Sequence, residues 1–257
     1  MTAPAAPYAL VRPPAASLAD GIVTFLERQP IDVALAGAQW AGYVAALESA
    51  GWPTVVVEPD DTLPDSVFVE DTVVMFGDLA VLTNPAKPTR NPEVTATART
   101  VRELGIETVA ITEGTLDGGD ILKVGDRVYA GLTGTTNAAA VDQLRDLLAP
   151  RGWTVTAVPV TKALHLKSAV TALPDGTVIG YGPVVDDPSP FEDYLEVPEE
   201  PGAHVVVLDE GTVLMSSRAP RTAEMFRLRG LKVVSVDISE FEKLEGCVTC
   251  LSVRVRQ

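Results

Sequence analysis

Cysteine is scarce in this chain, with only two among 257 residues, Cys247 and Cys250. Two thiols cannot build the disulfide framework of a small secreted protein, so a reducing cytoplasmic environment is expected. Residues 1–7 have neither the basic nor the apolar stretch of a secretory signal peptide, and none is predicted. The chain also lacks an apolar run long enough to cross a bilayer, which excludes a membrane-spanning helix from the prediction.

Basic residues are also few, because 20 Lys and Arg stand against 35 Asp and Glu and leave a net charge of −15. Nucleic-acid binding depends on neutralising phosphates, so nucleic acid is not a predicted partner. An acidic cleft attracts small cations, which fits a cationic ligand. Acidity that serves only solubility is the simpler explanation when the charge is considered alone.

Hydrophobic residues, at 46% of the chain, are sufficient for a sizeable core in one large domain or two small ones. Four segments share one pattern, an apolar run, a tight turn containing glycine, and a second apolar run, which is typical of β-hairpins. The paired runs are residues 72–76 with 79–82, 121–124 with 127–129, 168–173 with 177–179, and 205–208 with 212–215.

Each hairpin is followed by further predicted elements. Helices are expected at residues 93–104, from a cap at Asn137 to 148, and at 219–229, and extended runs follow at 108–111, 154–158 and 232–236. The third repeat leaves room for only a short helix, because residues 186–190 are rich in Asp and Pro. The turns recur about every 35 to 50 residues, a spacing typical of a stacked or closed array of ββαβ units.

The two chain ends supply the parts of a fifth unit. The start contains a strand at 8–11, helices at 18–27 and 39–50, and a strand at 54–57, while the end contains a strand at 251–255. Joined, these elements would close a ring without free strand edges. The sequence therefore predicts one α/β domain over residues 1–257, with five-fold pseudosymmetry and closed by its own ends.

Polar residues stand just before the first strand of each unit. They are Asp65, Glu70 and Asp71 in one unit, Asp117 and Asp120 in the next, His165 and Lys167 in the third, His204 in the fourth, and Thr249 and Cys250 in the fifth. In a ring of equivalent units these residues would converge at one end of the axis. A pocket containing a thiol, a histidine and several carboxylates is the prediction.

The chemistry of such a pocket follows from its residue types. A thiol with a pKa of about 8.5 becomes a strong nucleophile only when its thiolate is stabilised, which a bound cation can do. Asp65, Glu70 and Asp71 can hold a planar cation such as a guanidinium through paired hydrogen bonds. His165 can protonate an amine leaving group and then activate water, with Asp117 holding its ring.

Other interpretations of Cys247 and Cys250 are a redox pair and half of a zinc site. A thioredoxin-like pair opens a helix, whereas this pair leads into a predicted strand. A zinc site would need both cysteines together with His165 and His204, without a second short-spaced pair of ligands. Cys247 alone is typical of a small buried hydrophobe.

Structural roles also compete for three other features. His204 precedes an apolar run without a carboxylate nearby in sequence, and we interpret it as structural. A lone histidine such as His165 before a strand is often structural too. The glycine doublet at 118–119 is typical of a tight turn, although it also fits a ligand loop.

Four segments together resemble one known family. They are Pro64-Asp-Ser-Val-Phe-Val-Glu-Asp71, Thr115-Leu-Asp-Gly-Gly-Asp120, Leu164-His-Leu-Lys-Ser168 and Leu244-Glu-Gly-Cys-Val-Thr-Cys-Leu-Ser-Val253. Their order and spacing resemble the dimethylarginine dimethylaminohydrolase family of the guanidino-group-modifying superfamily, and the resemblance covers nearly the whole chain. It implies the pentein fold, a five-bladed α/β propeller.

The resemblance also implies a reaction and the residues that carry it out. Cys250 would be the nucleophile, His165 the general acid and base, and Asp117 the residue that orients His165. The reaction would be hydrolysis of Nω-methylated arginine to citrulline and a methylamine through a covalent cysteine thiouronium. Neither a metal nor an organic cofactor is expected.

Substrate contacts are implied in the same way. Asp65, Glu70 and Asp71 would surround the guanidino group, and Arg90 would meet the amino-acid end of the substrate. Further contacts would come from the residues Leu244, through its backbone, and Val23, in a lid region near residues 17–27.

One position departs from the family pattern. In Gly131-Leu-Thr-Gly-Thr-Thr-Asn137, Thr135 stands where the family has an arginine that binds the substrate α-carboxylate. A neutral hydroxyl replaces neither the charge nor the reach of that arginine. The chemistry should survive, while we expect a high KM for dimethylarginine and a gain from Thr135→Arg.

Two rival functions remain open at this point. One is hydrolysis or amidino transfer on a different guanidino compound, and the other is a non-catalytic pentein that only binds. Cys250, His165 and Asp117 in three different units, together with the acidic charge, argue against the binding module. The predicted partner is a small cationic guanidino compound, with no nucleic acid and no membrane, and a homodimer is one option for the oligomeric state.

Overall fold

The structure is a computed structural model that describes residues 7–256. Met1–Ala6, on which most of the signal-peptide prediction rests, and Gln257 lie outside the described residues. No helix in the described part of the chain combines the length and the apolar character that crossing a bilayer requires.

The elements follow the predicted repeat. In residues 7–256 the strands β1 to β15 are, in chain order, Tyr8–Val11, Thr54–Val56, Val73–Phe76, Leu79–Leu82, Glu107–Ala110, Ile121–Val124, Arg127–Leu132, Thr154–Pro159, Val170–Ala172, Val178–Gly180, Tyr194–Glu196, Val205–Asp209, Thr212–Ser216, Lys232–Val236 and Val253–Val255. The helices α1 to α6 are Val33–Ser49, Asn91–Glu103, Ala138–Leu148, Leu166–Ala169, Pro220–Leu228 and Ser239–Glu242. Short 3-10 turns are Leu18–Asp20, Val69–Thr72, Pro88–Arg90, Gly118–Asp120, Ala149–Arg151, Gly182–Val184 and Glu200–Ala203.

These strands form five three-stranded sheets of one design. In β3–β4–β5, the first two strands form an antiparallel hairpin, and the third returns through α2 to lie parallel to the second. The sheets β6–β7–β8, β9–β10–β11 and β12–β13–β14 repeat this order. Their crossovers are α3, the 3-10 turn Gly182–Val184, and α5. The predicted five-fold pseudosymmetric α/β fold is confirmed, including the short crossover of the third unit.

The fifth sheet joins the two ends of the chain. Strand β15 pairs antiparallel with β1, which places Tyr8 opposite Val255 and Leu10 opposite Val253. Strand β1 pairs in parallel with β2 after the crossover through α1. The first strands of neighbouring units contact one another, β15 with β3, β6 with β9, and β9 with β12. These strands therefore surround the axis of the ring.

The core is divided into five hydrophobic clusters, each shared by two neighbouring units. Successive residues of β1 illustrate this arrangement, because Tyr8 and Leu10 pack against the first unit while Ala9 and Val11 pack against the fourth. Both faces of hairpin strands such as β3 and β4 are consequently buried, whereas the third strand of a sheet, such as β5, is partly exposed. This explains why the strands appear in the sequence as continuous apolar runs rather than as alternating ones.

Local signals in the sequence explain several boundaries. The hairpin turns contain Gly77 and Gly125 at φ of 62° and 59°, the left-handed region that glycine tolerates without strain. The Asn137 side chain caps α3 by accepting a hydrogen bond from the backbone N–H of Ala140 at 3.2 Å. At the start of α1, Asp32 does the same for Leu35, so that helix begins at Val33 rather than at residue 39.

Three predicted elements were wrong in extent. The helix expected at 18–27 is only the 3-10 turn Leu18–Asp20, because carboxylates of other segments take up the backbone N–H groups that follow it. Residues 168 and 169 belong to α4 and not to a strand. Residues 251 and 252 likewise precede β15, since the chain turns at residues 247–252 before pairing with β1.

Deletion of residues 252–257 is expected to abolish the cooperative thermal unfolding transition. It removes β15, exposes edges on β1 and β3, and deletes the buried Val253 and Val255. Each valine contributes about 1.5–3 kcal/mol of burial against a total stability of about 5–15 kcal/mol. Thermal melts by circular dichroism of the truncated and full-length chains test this. A cooperative melt at an unchanged midpoint would contradict closure of the ring by β15.

Candidate active site

One end of the ring contains an open cavity of about 530 Å³. It is lined by Ile22, Thr24, Asp65, Phe68, Asp71, Lys87, Arg90, Asp117, Thr135, Leu164, His165, Leu244, Glu245, Gly246 and Cys250. Most of the residues selected from the sequence therefore meet in one place. Glu70 and Val23 are the two that do not line the cavity.

The local structure around the first strands explains this convergence. Asp71 lies in the 3-10 turn before β3, and Asp117 precedes the turn before β6. His165 precedes α4, which leads into β9, and Cys250 lies in the turn before β15. Because these strands surround the axis, the residues that precede them reach the same end of it.

His165 is buried between two carboxylates. Its Nε2 lies 3.3 Å from Oδ2 of Asp117, and its Nδ1 lies 3.8 Å from Oδ1 of Asp71. Burial alone would lower the pKa of His165, but Asp71, Asp120 and Asp117 outweigh it and raise the pKa to about 10. The imidazole is therefore protonated at neutral pH and available as an acid.

The glycine doublet at 118–119 makes this arrangement sterically feasible. A Cβ on Gly118 would lie 2.0 Å from the carbonyl oxygen of Glu70. A Cβ on Gly119 would lie 2.4 Å from Nδ1 of His165, and the backbone N–H of Gly119 donates to Oδ1 of Asp71 at 3.1 Å. Because neither glycine has a side chain, the doublet allows two segments to approach closely at the site.

Asp65 and Asp71 are buried carboxylates that face the cavity. Asp71 accepts a hydrogen bond from Nη1 of Arg90 at 2.9 Å. Burial would raise the pKa of Asp71, but the positive charges of His165 and Arg90 hold it below its ordinary value. For Asp65, burial prevails over the attraction of Arg90 and raises the pKa.

Arg90 lies at the cavity, but its guanidinium is already engaged by carboxylates. Besides Asp71, it contacts Glu93, whose Oε2 accepts from Nη2 of Arg90 at 2.8 Å. The sequence predicted that Arg90 meets the amino-acid end of a substrate. In the structure it supports the carboxylate of Asp71, and its contact with a substrate stays a prediction.

Glu70, expected near the guanidino group, lies outside the cavity. Its Oε1 accepts from Nζ of Lys167 and from Nη2 of Arg254, both at 2.7 Å, and its side chain is buried. This ion-pair network joins the segments before β3 and β9 to β15. Glu70 therefore holds neighbouring units together, and its contact with a guanidino group stays a prediction.

Thr135 lines the cavity as predicted, but its hydroxyl has a partner. Thr133, Thr135 and Thr136 all donate to Oδ2 of Asp120, at 2.8, 3.0 and 2.6 Å. The Oδ1 of Asp120 accepts from the backbone N–H of Leu166 at 2.9 Å, directly after His165. Thr135 thus helps to fix the segment that presents His165, and its donor is not available to a ligand in this arrangement.

The two cysteines differ in their access to the cavity. Both pack in the core cluster shared by the fourth and fifth units, but of the two Cys250 alone also lines the cavity. Their sulfur atoms lie 3.3 Å apart, and Cys247 also contacts the hydroxyl of Thr249 at 3.2 Å. The hydrogen bond between the thiols lowers the pKa of Cys247 and raises that of Cys250, since it favours one negative charge on the pair and opposes two.

An irregular segment after residue 20 covers one side of the cavity. The backbone N–H groups of Thr24, Phe25 and Leu26 all donate to Oε1 of Glu245, and that of Ile22 donates to Asp65. Ile22 and Thr24 line the cavity, while Val23 packs toward the hydrophobic core. The lid role and the substrate contact of Val23 stay predictions, and its neighbours Ile22 and Thr24 are the residues of this segment that line the cavity.

Three residues of the site could together hold a metal ion. Within residues 7–256, one ligand atom each from Asp71, Asp117 and His165 lies within 4.8 Å of the others, and this is the group of three that could hold an ion. The charge of Arg90 already compensates Asp71 there. Cys247, Cys250, His165 and His204 do not assemble into a group of ligands in the described chain.

His204 has the structural role that the sequence suggested. Its Nε2 lies 2.9 Å from the carbonyl oxygen of Ser168, so a protonated Nε2 donates to that carbonyl. This hydrogen bond ties the turn before β12 to α4 of the preceding unit. His204 is not among the residues that line the cavity.

Sequence reasoning missed several lining residues, above all Lys87 and Glu245. Lys87 lies between two prolines in the loop after β4, and that loop ends at the same end of the ring as the polar clusters. Glu245 adjoins Leu244 and adopts a positive φ of 63°, which is unusual for a residue other than glycine. In the sequence, the signal for both was their closeness to predicted site residues, of Lys87 to Arg90 and of Glu245 to Leu244.

Comparisons with known proteins agree with this geometry. No protein-family model matches the chain. It is 55% identical over 250 residues to an N(G),N(G)-dimethylarginine dimethylaminohydrolase of Streptomyces coelicolor, covering 97% of both proteins. A solved structure of dimethylarginine dimethylaminohydrolase as an adduct with S-methyl-L-thiocitrulline matches with a TM-score of 0.89 and 32% identity, over 96% of this chain and 98% of that one.

A second solved structure gives the same result. The enzyme of Pseudomonas aeruginosa in complex with citrulline matches with a TM-score of 0.88 and 32% identity, again over 96% of this chain and 98% of that one. Both structures and the Streptomyces coelicolor relative align over almost their full length. The chain belongs to the dimethylarginine dimethylaminohydrolase family.

Proposed function

We propose that this protein hydrolyses Nω,Nω-dimethylarginine to citrulline and dimethylamine through a covalent intermediate on Cys250. The observation that carries the proposal is the shared cavity, which places the thiol of Cys250 with a protonated His165 and three buried carboxylates. The three carboxylates are Asp65, Asp71 and Asp117. Such a combination suits a cationic substrate from which an amine must depart.

Relatives support this reaction. One solved structure of the family contains an adduct with S-methyl-L-thiocitrulline, and another contains citrulline. The first is consistent with a covalent bond to the protein, and the second with citrulline as a product. The cavity of this chain offers a nucleophile and an acid for the same sequence of steps.

Substrate binding would use the acidic side of the cavity. The carboxylate of Asp65 can accept further hydrogen bonds, because within residues 7–256 it accepts one, from the backbone N–H of Ile22 at 2.9 Å. Oδ1 of Asp117 is buried and has no hydrogen-bond partner within residues 7–256. A buried acceptor without a partner is unfavourable, so a guanidino N–H donor there would satisfy it.

The covalent step follows from the charges. A bound guanidinium favours the thiolate of Cys250, offsetting the effect of Cys247. The Sγ of Cys250 adds to the guanidino carbon, and the bond from that carbon to the dimethylamino nitrogen breaks after His165 donates its proton to that nitrogen. The products of this step are dimethylamine and an S-alkyl thiouronium on Cys250.

Hydrolysis of the intermediate uses the same histidine in the opposite direction. Neutral His165 takes a proton from water, whose oxygen adds to the thiouronium carbon. The bond between carbon and sulfur then breaks and the proton of the new hydroxyl passes to solvent, which releases citrulline and restores the thiolate of Cys250. Asp117 and Asp71 hold the imidazole in place throughout, at 3.3 and 3.8 Å.

The second candidate is the same chemistry on another guanidino compound, including amidino transfer to an amine. Thr135 is the observation that favours this candidate, because its side chain is neutral and its hydroxyl donates a hydrogen bond to Asp120. Transfer requires an acceptor amine in place of water, whereas hydrolysis does not. Product formation without any added amine separates the two reactions.

Incubation with dimethylarginine alone is expected to give citrulline and dimethylamine in equal amounts. Quantifying both products by chromatography, with boiled protein as the control, tests the proposal. Product that appears only when an acceptor amine is added would indicate transfer. If no guanidine is consumed and chloroacetamidine fails to alkylate Cys250 in peptide mass mapping, a binding function replaces the enzymatic one.

A further inference from the structure

The cavity contains three cationic side chains, and two of them are neutralised by carboxylates. Arg90 is paired with Asp71 and Glu93, and His165 lies between Asp71 and Asp117. Lys87 makes neither an ion pair nor a side-chain hydrogen bond with any residue in the range 7–256. It therefore provides an uncompensated positive charge at this cavity.

The backbone holds Lys87 at the cavity wall. It precedes the 3-10 turn Pro88–Arg90, with an extended backbone at φ of −97° and ψ of 109°. Prolines on both sides of residues 86 and 87 restrict the loop. Lys87 lines the cavity and is exposed, in contrast to the buried Arg90.

We propose that Lys87 is the specificity-determining residue that binds the α-carboxylate of an amino-acid substrate. This inference rests on the proposed function and names the group that recognises the part of the substrate away from the guanidine. Lys87 would offset the loss of positive charge that Thr135 represents.

Three physical arguments support this assignment. A guanidino group held by Asp65 and Asp117 places the other end of an arginine-sized molecule toward the mouth of the cavity, where Lys87 is exposed. The protein is acidic, with a net charge of −15, and Glu245 lines the same cavity, so an unpaired carboxylate would be repelled there. Thr135 and Arg90 are occupied by other partners, which leaves Lys87 to provide the charge-assisted hydrogen bond.

The test compares two substrates in five variants, one of which is Thr135→Arg alone. The substrates are dimethylarginine and its decarboxylated analogue, a dimethylated guanidinobutylamine. Lys87→Gln removes the charge, Lys87→Arg retains it, and Lys87→Gln combined with Thr135→Arg restores a cation on another wall of the cavity. Lys232→Gln, at an exposed lysine of β14, is the matched control for net charge.

We expect Lys87→Gln to lower kcat/KM for dimethylarginine about 10- to 100-fold, mainly through KM, because a charged hydrogen bond to a carboxylate is lost. The change for the decarboxylated analogue should be at least about tenfold smaller. Lys87→Arg should retain most of the activity, and Thr135→Arg should recover more of it in the Lys87→Gln background than it adds to the wild-type protein.

Equal losses on both substrates would overturn the inference, because they would indicate a structural role. An unchanged kcat/KM for dimethylarginine in Lys87→Gln would also overturn it while leaving the proposed function intact. If the wild-type protein consumes neither guanidine, the proposed function fails and the inference fails with it.

Discussion

Replacing Cys250 with serine is expected to abolish turnover of dimethylarginine, whereas replacing Cys247 with serine should leave most of it. Removal of a covalent nucleophile lowers kcat by many orders of magnitude, and a loss of at least about 10⁴-fold is expected. The two cysteines are adjacent in space, with sulfur atoms 3.3 Å apart. Their different positions relative to the cavity decide the prediction.

Charge alone would favour the other cysteine. The hydrogen bond between the thiols lowers the pKa of Cys247 and raises that of Cys250, because the pair favours one negative charge over two. Cys247 is packed among apolar side chains, and it is not one of the cavity-lining residues. A substrate can reach only Cys250, and its guanidinium would draw the charge there. We therefore expect the position of Cys250 at the cavity, and not the pKa difference between the two thiols, to decide which of them reacts.

Cys247→Ser also removes the sulfur that raises the pKa of Cys250. We therefore expect kcat/KM within about tenfold of the wild-type value, together with a lower pKa for alkylation of Cys250. Steady-state kinetics of both variants, with the pH dependence of alkylation by chloroacetamidine, measure these effects. Loss of turnover in Cys247→Ser with retention in Cys250→Ser would reverse the assignment.

The repeat was predictable because its signals are local. Each hairpin turn contains a glycine, as at Gly77 and Gly125, and hairpin strands such as β3 and β4 are apolar along their whole length because both of their faces are covered. The convergence of Cys250, His165 and Asp117 then followed from symmetry. The segments before β3, β6, β9 and β15 meet near the axis because these strands surround it, although the side chains of Glu70 and His204 do not line the cavity.

The remaining parts of the site depend on contacts between distant segments. Glu70 was expected at the ligand, and in the structure its buried side chain forms ion pairs with Lys167 and Arg254. Residues 21–27 were expected to be helical, yet Glu245, more than 200 residues later, accepts their backbone N–H groups. The sequence gives no indication that Lys87 belongs to the site, because an exposed lysine becomes informative only when the cavity that it lines is known.

Replacing His165 with glycine is expected to reduce kcat about 10²–10⁴-fold, the range for loss of general acid–base catalysis. The buried ring lies between Asp117 and Asp71, so the variant loses both the proton donor and the cation between these carboxylates. A covalent adduct can form without an acid when the leaving group is good. Such a substrate should therefore accumulate the thiouronium on Cys250, visible by intact-protein mass spectrometry.

The pH dependence of turnover follows from the direction in which the pKa of His165 is shifted. An ordinary histidine has a pKa near 6.5, but that of His165 is raised to about 10 by the carboxylates around it. Its protonated form is present below that value, so the acid-catalysed step should persist through pH 7–9 and decline as the pH approaches 10. The associated stabilisation of the folded state is complete below about pH 6.5 and is lost as pH rises toward 10.

Two comparisons separate catalysis from folding in this variant. Added imidazole should restore part of the activity of His165→Gly if the cavity remains intact, whereas an unfolded protein would not respond. The matched control is His204→Gln, since His204 lies outside the cavity and its hydrogen bond to the carbonyl of Ser168 can be replaced by an amide. Wild-type turnover in His165→Gly, or a loss confined to His204→Gln, would remove His165 from the mechanism. A decline of kcat/KM centred near pH 6.5 in the wild-type protein would instead show that the carboxylates do not hold the proton on His165 in the working enzyme.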